Sequence, residues 1–272
     1  MGTLWWRPLG ALVLLLFVHL DPAFDDGLAA LRPLGGFFVL PPPGPPPRRL
    51  PTLSRVYGDR APDVHDDPLG FLVRKVEAAL RAPEPRIAAS VAHQGLAARL
   101  WSVTLGCAAV YGAVPDLDPR LLHWDPDGSA PGDLWLAEAR ARPADAGTVA
   151  DTVLHAHLVP LTASLRARYR VAAGLLWGNA ASALAGAARE LDRRPDRHGG
   201  TEAAARVRAL TADLLAHPML ARAGTLTGTA FRRRSCCLYY RVPGGGVCGD
   251  CCFRRPPRFP TPPRSSPRAP SG

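Results

Sequence analysis

Apolar side chains recur every three or four residues along most of the chain, which is the spacing of one helix face. Residues 68–82 show this pattern before Pro83 and Pro85, and residues 86–113 repeat it up to Pro115. The apolar positions of the first stretch are Leu69, Leu72, Val73, Val76 and Leu80. Those of the second stretch are Ile87, Val91, Leu96, Leu100, Val103 and Val110. The pattern predicts two successive amphipathic helices.

A longer helical pattern follows at residues 148–191. Pro160 lies inside it, and we expect a kink or a division there because proline has no N–H for the helical hydrogen bond. A last helix is predicted for residues 201–217, with Thr201 as its N-cap. Between the helical stretches, the sequence Leu-Trp-Leu at 134–136 indicates a short strand. The chain is therefore predicted to be mainly α, with a few short strands.

Composition divides the chain into four parts. An apolar extension covers residues 1–22, a helical domain 23–230, a cysteine module 231–253, and a tail rich in Pro, Ser and Arg 254–272. The tail has the composition of a disordered segment. Within the helical domain, six of the seven residues at 41–47 are proline, which predicts an extended surface loop.

The apolar extension contains Arg7 and then a largely apolar run from Leu9 to Val18, which is too short to span a bilayer. A basic residue before such a run is typical of a signal peptide, but no small-residue cleavage site follows it. An extended start of translation, a buried first helix and a membrane-facing anchor all fit the run. Export would also expose the thiols of the chain to oxidation, which argues against a secreted fate. Of the three remaining alternatives we favour the first two.

The chain is strongly basic, with a formal net charge of +10. Of its 33 basic residues only Lys75 is lysine, and the accompanying abundance of Ala, Pro and Gly indicates a GC-rich coding sequence. We therefore do not take the charge as evidence for nucleic-acid binding. The sequence shows no nicotinamide or flavin signature. Any electrons that the protein uses must therefore come from a partner.

Five of the six cysteines lie within residues 232–253. Their spacing is Cys-Cys-x10-Cys-x2-Cys, with Cys252 left over. Four thiols gathered at one end of a loop are what a tetrahedral metal or an iron–sulfur cluster requires. Pro243 and the three glycines after it favour a tight reversal of the chain, which would bring the second pair of thiols back to the first.

Structural zinc, disulfides and chance clustering compete with an iron–sulfur cluster as the reason for this spacing. Structural zinc usually takes two separated knuckles, which an adjacent Cys-Cys pair fits poorly. A disulfide framework would be natural in a secreted chain. Chance clustering is the weakest of the three, because the rest of the chain holds only Cys107. Spacing alone favours bound metal over disulfides and leaves zinc and iron–sulfur open.

The cysteine motif resembles the C-terminal motif of the FhuF family, which are siderophore-iron reductases that bind a [2Fe-2S] cluster. The resemblance rests on the adjacent pair, the basic residues and Ser235 before it, and the Leu-Tyr-Tyr-Arg that follows it. It extends more weakly upstream, to residues 176–181 and to His217 and Pro218. It covers roughly residues 24–253.

The resemblance implies a function as well as a cofactor. The protein would reduce Fe(III) in a ferric siderophore by single-electron transfer and release Fe(II). It would need an external electron donor, bind no nucleic acid, and act in the cytoplasm, with peripheral contact to the inner membrane face. The implied ligands of the [2Fe-2S] cluster are Cys236, Cys237, Cys248 and Cys251. Cys252 departs from the family pattern, where proline is frequent, and it leaves the last ligand open between Cys251 and Cys252.

The rival hypothesis is a zinc-stapled binding module whose basic tail contacts nucleic acid or anionic lipid. Under the reductase hypothesis, Trp177 and Asn179 are weak candidates for shaping a pocket for the ferric chelate, and core packing is the favoured role of Trp177. Arginines near the cluster would raise its potential, although a solvated surface is the simpler expectation for any one of them. The arginines that flank the motif are Arg232, Arg233, Arg234, Arg241, Arg254 and Arg255.

Other titratable residues are predicted to have structural roles. His155 and His157 would lie on different faces of a helix, so they would make a poor metal pair. Asp66 and Asp67 are expected to cap the helix that follows them. Cys107 lies in an apolar run and is expected to be a small buried side chain.

Overall fold

The computed structural model describes residues 28–58, 67–193 and 200–257. The apolar extension at 1–22 and the part of the tail after residue 257 lie outside the described residues. Within the described ranges, no helix is both long enough and apolar enough to cross a membrane.

The described residues form helices joined by short hairpins, so the prediction of a mainly α fold is confirmed. The α-helices are α1 (Leu53–Tyr57), α2 (Pro68–Leu80), α3 (Pro85–Tyr111), α4 (Ala146–Val149), α5 (Val159–Tyr169), α6 (Ala173–Asp192) and α7 (Gly200–Ala216). A π-helical segment, Ala150–Leu158, joins α4 to α5, and short 3-10 helices lie at Ala29–Leu34 and Tyr239–Arg241. Three antiparallel pairs of strands complete the fold: β1 (Ala113–Pro115) with β4 (Ala141–Pro143), β2 (Leu122–Trp124) with β3 (Leu134–Leu136), and β5 (Gly224–Thr227) with β6 (Ala230–Arg233).

Helix α3 is the centre of the core, and it contacts α2, α6 and α7. Pro85 is its first residue, where the missing N–H has no helical partner to lose, whereas α2 already ends at Leu80, before the left-handed Arg81. Trp101 of α3 is buried and donates a hydrogen bond to the carbonyl of Ala180 on α6, at 3.1 Å. Gly106 lets the N-terminal segment pack closely, because an added Cβ would lie 3.0 Å from the ring of Phe38.

The predicted helix at 148–191 is divided, but the break does not lie at Pro160. The chain passes through the π-helical segment before Pro160, which then occupies the first turn of α5, where proline is tolerated. The break comes at Arg170, whose φ of 53° lies in the left-handed region and ends α5. The wider turns of the π-helical segment therefore accommodate the proline, which has no N–H to donate, and the helix is not divided there.

The prediction of Thr201 as an N-cap is wrong. Helix α7 begins at Gly200, which has a φ of 75°, so Thr201 already lies inside the helix. Glycine adopts this left-handed conformation at little cost, so the chain enters the helix through Gly200 and not through a capping Thr201.

Most of the structural roles predicted for titratable residues are confirmed. Asp67 caps α2 by accepting a hydrogen bond from the N–H of Gly70 at 3.0 Å, whereas Asp66 lies outside the described residues. His157 is buried, as is Cys107, and burial raises the pKa of the Cys107 thiol. His155 is exposed.

Arg99 is a buried cation of α3 that holds the N-terminal loops in place. Its guanidinium donates to the carbonyls of Phe37 at 2.6 Å and Val39 at 2.5 Å, and to the carboxylate of Asp133 at 2.9 Å. Burial lowers the pKa of Arg99, and the charge of Asp133 opposes this effect. One side chain of α3 thus holds two separate loops. The apolar periodicity of the sequence did not predict these contacts of Arg99.

Candidate metal centre

The β5–β6 hairpin leads the chain into the cysteine module. Residues of β6 alternate between the interior and the solvent, so Phe231 and Arg233 are buried while Arg232 is exposed. Arg234, which follows the strand, is exposed as well. Strand pairing therefore turns only the middle one of three consecutive arginines into the protein.

Arg233 connects the cysteine module to α6 and α3. Its Nε donates to the carbonyl of Gly178 at 3.2 Å, and a terminal nitrogen donates to the side-chain oxygen of Asn179. The amide nitrogen of Asn179 donates to the backbone carbonyl of Ser90 at 2.8 Å. The Ser90 hydroxyl in turn donates to the carbonyl of Cys237 at 2.8 Å. A buried polar network thus holds the first cysteine pair against both central helices.

Asp250 anchors the second pair of cysteines, Cys248-x2-Cys251. Its buried carboxylate accepts hydrogen bonds from the hydroxyl of Ser182 at 2.6 Å and from Arg189 at 3.2 Å, both on α6. Its backbone carbonyl accepts from the N–H of Arg233 at 3.0 Å. Hydrogen bonds to a charged group are strong, so the Cys248-x2-Cys251 turn is held on α6 as well.

A glycine of α6 allows the module to approach the helix closely. A Cβ added at Gly178 would lie 2.5 Å from the hydroxyl oxygen of Ser235, which is closer than real contacts allow. Ser235 donates a hydrogen bond to the carbonyl of Gly174 at 2.8 Å, one turn earlier on the same helix. The family-like segment at 176–181 therefore serves as the surface on which the module rests.

Two sulfur atoms from opposite ends of the motif meet at the centre of the module. Cys237 Sγ and Cys248 Sγ lie 3.6 Å apart, and both thiols are free. Two thiolates bound at about 2.3 Å to one tetrahedral metal lie about 3.8 Å apart, so this pair has the separation of two ligands on one metal ion. The predicted reversal at the three glycines is confirmed, because it brings Cys248 beside Cys237.

Backbone N–H groups point at the sulfurs of the other two cysteines of the motif. The N–H of Leu238 donates to Cys236 Sγ at 3.2 Å, and the N–H of Phe253 donates to Cys251 Sγ at 3.4 Å. Such N–H···S contacts orient thiolate ligands and offset their charge. No three His, Cys, Asp or Glu side chains of the described ranges are arranged to hold a single metal ion as they stand. A two-iron cluster takes two thiolates on each iron, so a pair is the unit that it requires.

Charge at the paired sulfurs favours a bound cation. The neighbouring Cys237 thiol, followed by burial, raises the pKa of Cys248, and the charge of Arg233 opposes this increase. Two thiolates at this distance repel one another, so both ionise readily only when a metal cation compensates. The donor set therefore fits an iron–sulfur cluster, and Arg233 is a buried positive group whose charge acts on the sulfurs.

Comparison with known families identifies the module. Residues 233–253 match the family model described as the FhuF 2Fe-2S C-terminal domain. The chain carries the [2Fe-2S] domain of the FhuF family. Its cofactor is a [2Fe-2S] cluster, which decides between the iron–sulfur and zinc alternatives that spacing left open. No curated protein matches the chain.

The FhuF domain contains a fifth thiol close to the others. Cys252 is partly buried, and burial followed by the charge of Cys251 raises its pKa. Its carbonyl accepts a hydrogen bond from Arg232 at 3.1 Å. Cys252 therefore lies within the site, although the N–H···S contact from Phe253 is made to Cys251.

The remaining candidates from the sequence take different places around the FhuF domain. Trp177 is partly buried and packs against the core, which was its favoured role, whereas Asn179 is fully buried within the polar network. Arg241 pairs with Glu84 at 2.8 Å. The exposed arginines of the motif are Arg232, Arg234, Arg254 and Arg255.

The anchors of the domain were missed by sequence reasoning. Ser90, Ser182 and Arg189 carry no motif, and they look like ordinary helix residues. The sequence did contain a sign of the role of Asp250. It is the one acidic residue within 231–253, and it lies inside the Cys-x2-Cys turn. An isolated carboxylate between two cysteines of a metal-binding motif needs a partner elsewhere in the fold.

Proposed function

We propose that this chain is a reductase of ferric siderophores, with Cys236, Cys237, Cys248 and Cys251 as the ligands of its [2Fe-2S] cluster. The observation that carries the proposal is the approach of Cys237 and Cys248 to 3.6 Å inside a matched FhuF domain. Reductase activity is the function that this family implies, and the site is fixed on two buried helices.

The last ligand is assigned to Cys251 because its sulfur accepts a hydrogen bond from the N–H of Phe253, the kind of contact that orients a thiolate ligand. Cys252 is the competing ligand, since it lies within the same site. If Cys251→Ser keeps the visible spectrum of the cluster and Cys252→Ser loses it, this assignment is wrong.

The chemistry of the substrate explains why one electron is sufficient. When bound, the cluster supplies single electrons. Siderophores hold iron through hard oxygen donors, which bind Fe(III) much more strongly than Fe(II), so reduction loosens the metal from its chelate. Electrons come from an external donor, and we expect the reaction to take place in the cytoplasm, where thiols stay reduced.

The residues of this chain prepare the site for that transfer. Four thiolates hold the cofactor, and N–H groups of Leu238 and Phe253 offset part of their charge. The guanidinium of Arg233 places a buried positive charge beside the sulfurs. Asp250 and Ser90 hold the two ends of the motif on the helices, so the ligands keep their arrangement.

The test begins with anaerobic purification and analysis for iron, zinc and acid-labile sulfide. Protein reduced with dithionite is then mixed, without oxygen, with ferric siderophores of the hydroxamate and catecholate classes. We expect the cluster to be reoxidised and Fe(II) to appear in a specific chelator, approaching one iron per cluster, because a [2Fe-2S] centre stores one usable electron. A cluster that stays reduced against the whole panel would refute the reductase function and leave an electron carrier or a structural cluster.

A further inference from the structure

A cleft opens beside one of the proposed cluster ligands. It has a volume of about 580 Å³, and Cys248, Gly249 and Asp250 form one of its walls. The loop at 35–38 and side chains of α3 and α6 form the rest of its lining. This volume lies in the range of roughly 300–1,000 Å³ that is typical of small-molecule sites.

We propose that this cleft binds the ferric chelate and brings it to the Cys248 side of the cluster. The proposal rests on the reductase function proposed above. It assigns the substrate to a definite place in the fold, between the N-terminal loop and the Cys248-x2-Cys251 turn.

The walls of the cleft are fixed before any ligand arrives. Arg99 holds the carbonyls of Phe37 and Val39, which keeps the loop in position. Ser182 and Arg189 hold Asp250, which keeps the cysteine turn in position. Because both walls are tied to α3 or α6, binding requires little ordering of the chain.

The lining of the cleft suits a compact chelate. Ala98, Ala183 and Ala187 provide apolar surface, and Gln94 adds an amide that can donate and accept hydrogen bonds. Phe37 lies at the cleft with 48 % of its surface exposed, an unusual exposure for an aromatic side chain. A chelate turns its oxygen donors inward to the iron and its carbon framework outward, so a largely apolar wall with a few polar groups matches its outer surface.

Gly186 offers a direct way to fill the cleft. It lines the cleft from α6, and the nearest atom to an added Cβ is a terminal nitrogen of Arg189, at 4.0 Å. A large side chain can therefore be attached there without a clash with the backbone. Gly95 of α3 is a matched control, since it is also helical, has nothing within 4 Å of an added Cβ, and does not line the cleft.

The experiment compares Gly186→Trp with Gly95→Trp in the cluster-loaded protein. Binding is measured calorimetrically with gallium(III) tris-hydroxamate and tris-catecholate chelates, because gallium(III) resembles Fe(III) in size but is not reduced. We expect Gly186→Trp to weaken binding of the preferred chelate at least tenfold and to slow reoxidation by its ferric form at least tenfold. Gly95→Trp should stay within twofold of wild type in both measurements. Both variants should keep the visible spectrum and the rate of reoxidation by ferricyanide.

The binding measurements test whether the cleft is the chelate site, and reoxidation of the wild-type protein tests whether the protein is a reductase. If Gly186→Trp binds the gallium chelates as tightly as Gly95→Trp, or if wild type binds neither chelate, the cleft is not the site. In a third outcome, the wild-type protein binds a gallium chelate, Gly186→Trp does not, and no ferric chelate reoxidises the wild-type protein. The cleft proposal then stands and the reductase function fails.

Discussion

The buried charge of Arg233 should raise the reduction potential of the cluster. Reduction adds negative charge to the cluster, and a nearby positive group stabilises the reduced form. Arg233 is only 2 % exposed, and its charge acts on both Cys237 and Cys248. Arg233→Met removes this charge at similar side-chain length. We therefore expect the potential of Arg233→Met to fall.

The size of the effect follows from Coulomb's law. Taking about 7 Å as an illustrative distance between two charges and an effective dielectric constant of about 20, Coulomb's law gives roughly 2.4 kcal/mol for one unit charge. For a single electron this corresponds to a shift of about 100 mV. Arg234 is adjacent in sequence but exposed, so solvent and salt screen it, and Arg234→Gln should change the potential much less.

Two variants of the same residue separate charge from hydrogen bonding. Arg233→Lys keeps the positive charge but loses the fork that joins Gly178 to Asn179, so we expect a potential close to wild type and a loss of stability of about 1–3 kcal/mol. The potentials come from anaerobic redox titrations followed by visible absorption, and the stabilities from urea unfolding. The reasoning is refuted if Arg233→Met has the wild-type potential, or if Arg234→Gln lowers the potential by the same amount.

Three further predictions test the site and the core. Replacing any one of the four proposed ligands by Ser should abolish or severely weaken the visible spectrum of the cluster, because oxygen replaces thiolate poorly. Cys107→Ser should keep the spectrum. A spectrum that survives every ligand variant would contradict the assignment. Gly178→Ala should lower stability by about 1–3 kcal/mol and reduce cluster content, because the added methyl group has no room. Gly174→Ala, where the added methyl group meets open space, should do neither. Equal unfolding midpoints for the two variants would contradict this. Burial lowers the pKa of His157 to about 4, so its neutral form stabilises the fold above pH 6.5 and this contribution is lost as the pH falls. Urea unfolding at pH 7.5 and 5.5 should show about 1.4 kcal/mol less pH dependence in His157→Gln than in wild type, and an unchanged pH dependence would show that His157 does not titrate this way.

Local signals in the sequence predicted the long helices and the metal-binding motif. Helices α2 and α3 were found because their apolar positions repeat at helical spacing and prolines mark their ends. The cysteine motif was found because its cysteines are close in sequence. The end of α5 was missed, because Arg170 adopts a left-handed conformation that its residue type does not announce.

The support of the metal centre could not be predicted from local pattern. Arg232, Arg233 and Arg234 look alike in the sequence, and only the pairing of β6 with β5 determines which of them is buried. The hydrogen bond from Ser90 to Cys237 joins residues 147 positions apart, so neither residue carries a local sign of the other. Such contacts depend on how the helices pack, which is a property of the whole domain.

The distant anchors of the FhuF domain have a consequence for the order in which the protein matures. Ser90, Asn179 and Ser182 are synthesised long before the cysteines that they support, and their helices must pack together before the two ends of the motif have anything to rest on. A peptide of residues 231–253 alone would lack these partners, so its thiols would not be held in place. We therefore expect iron and sulfide to be inserted into an apoprotein whose helices have already folded.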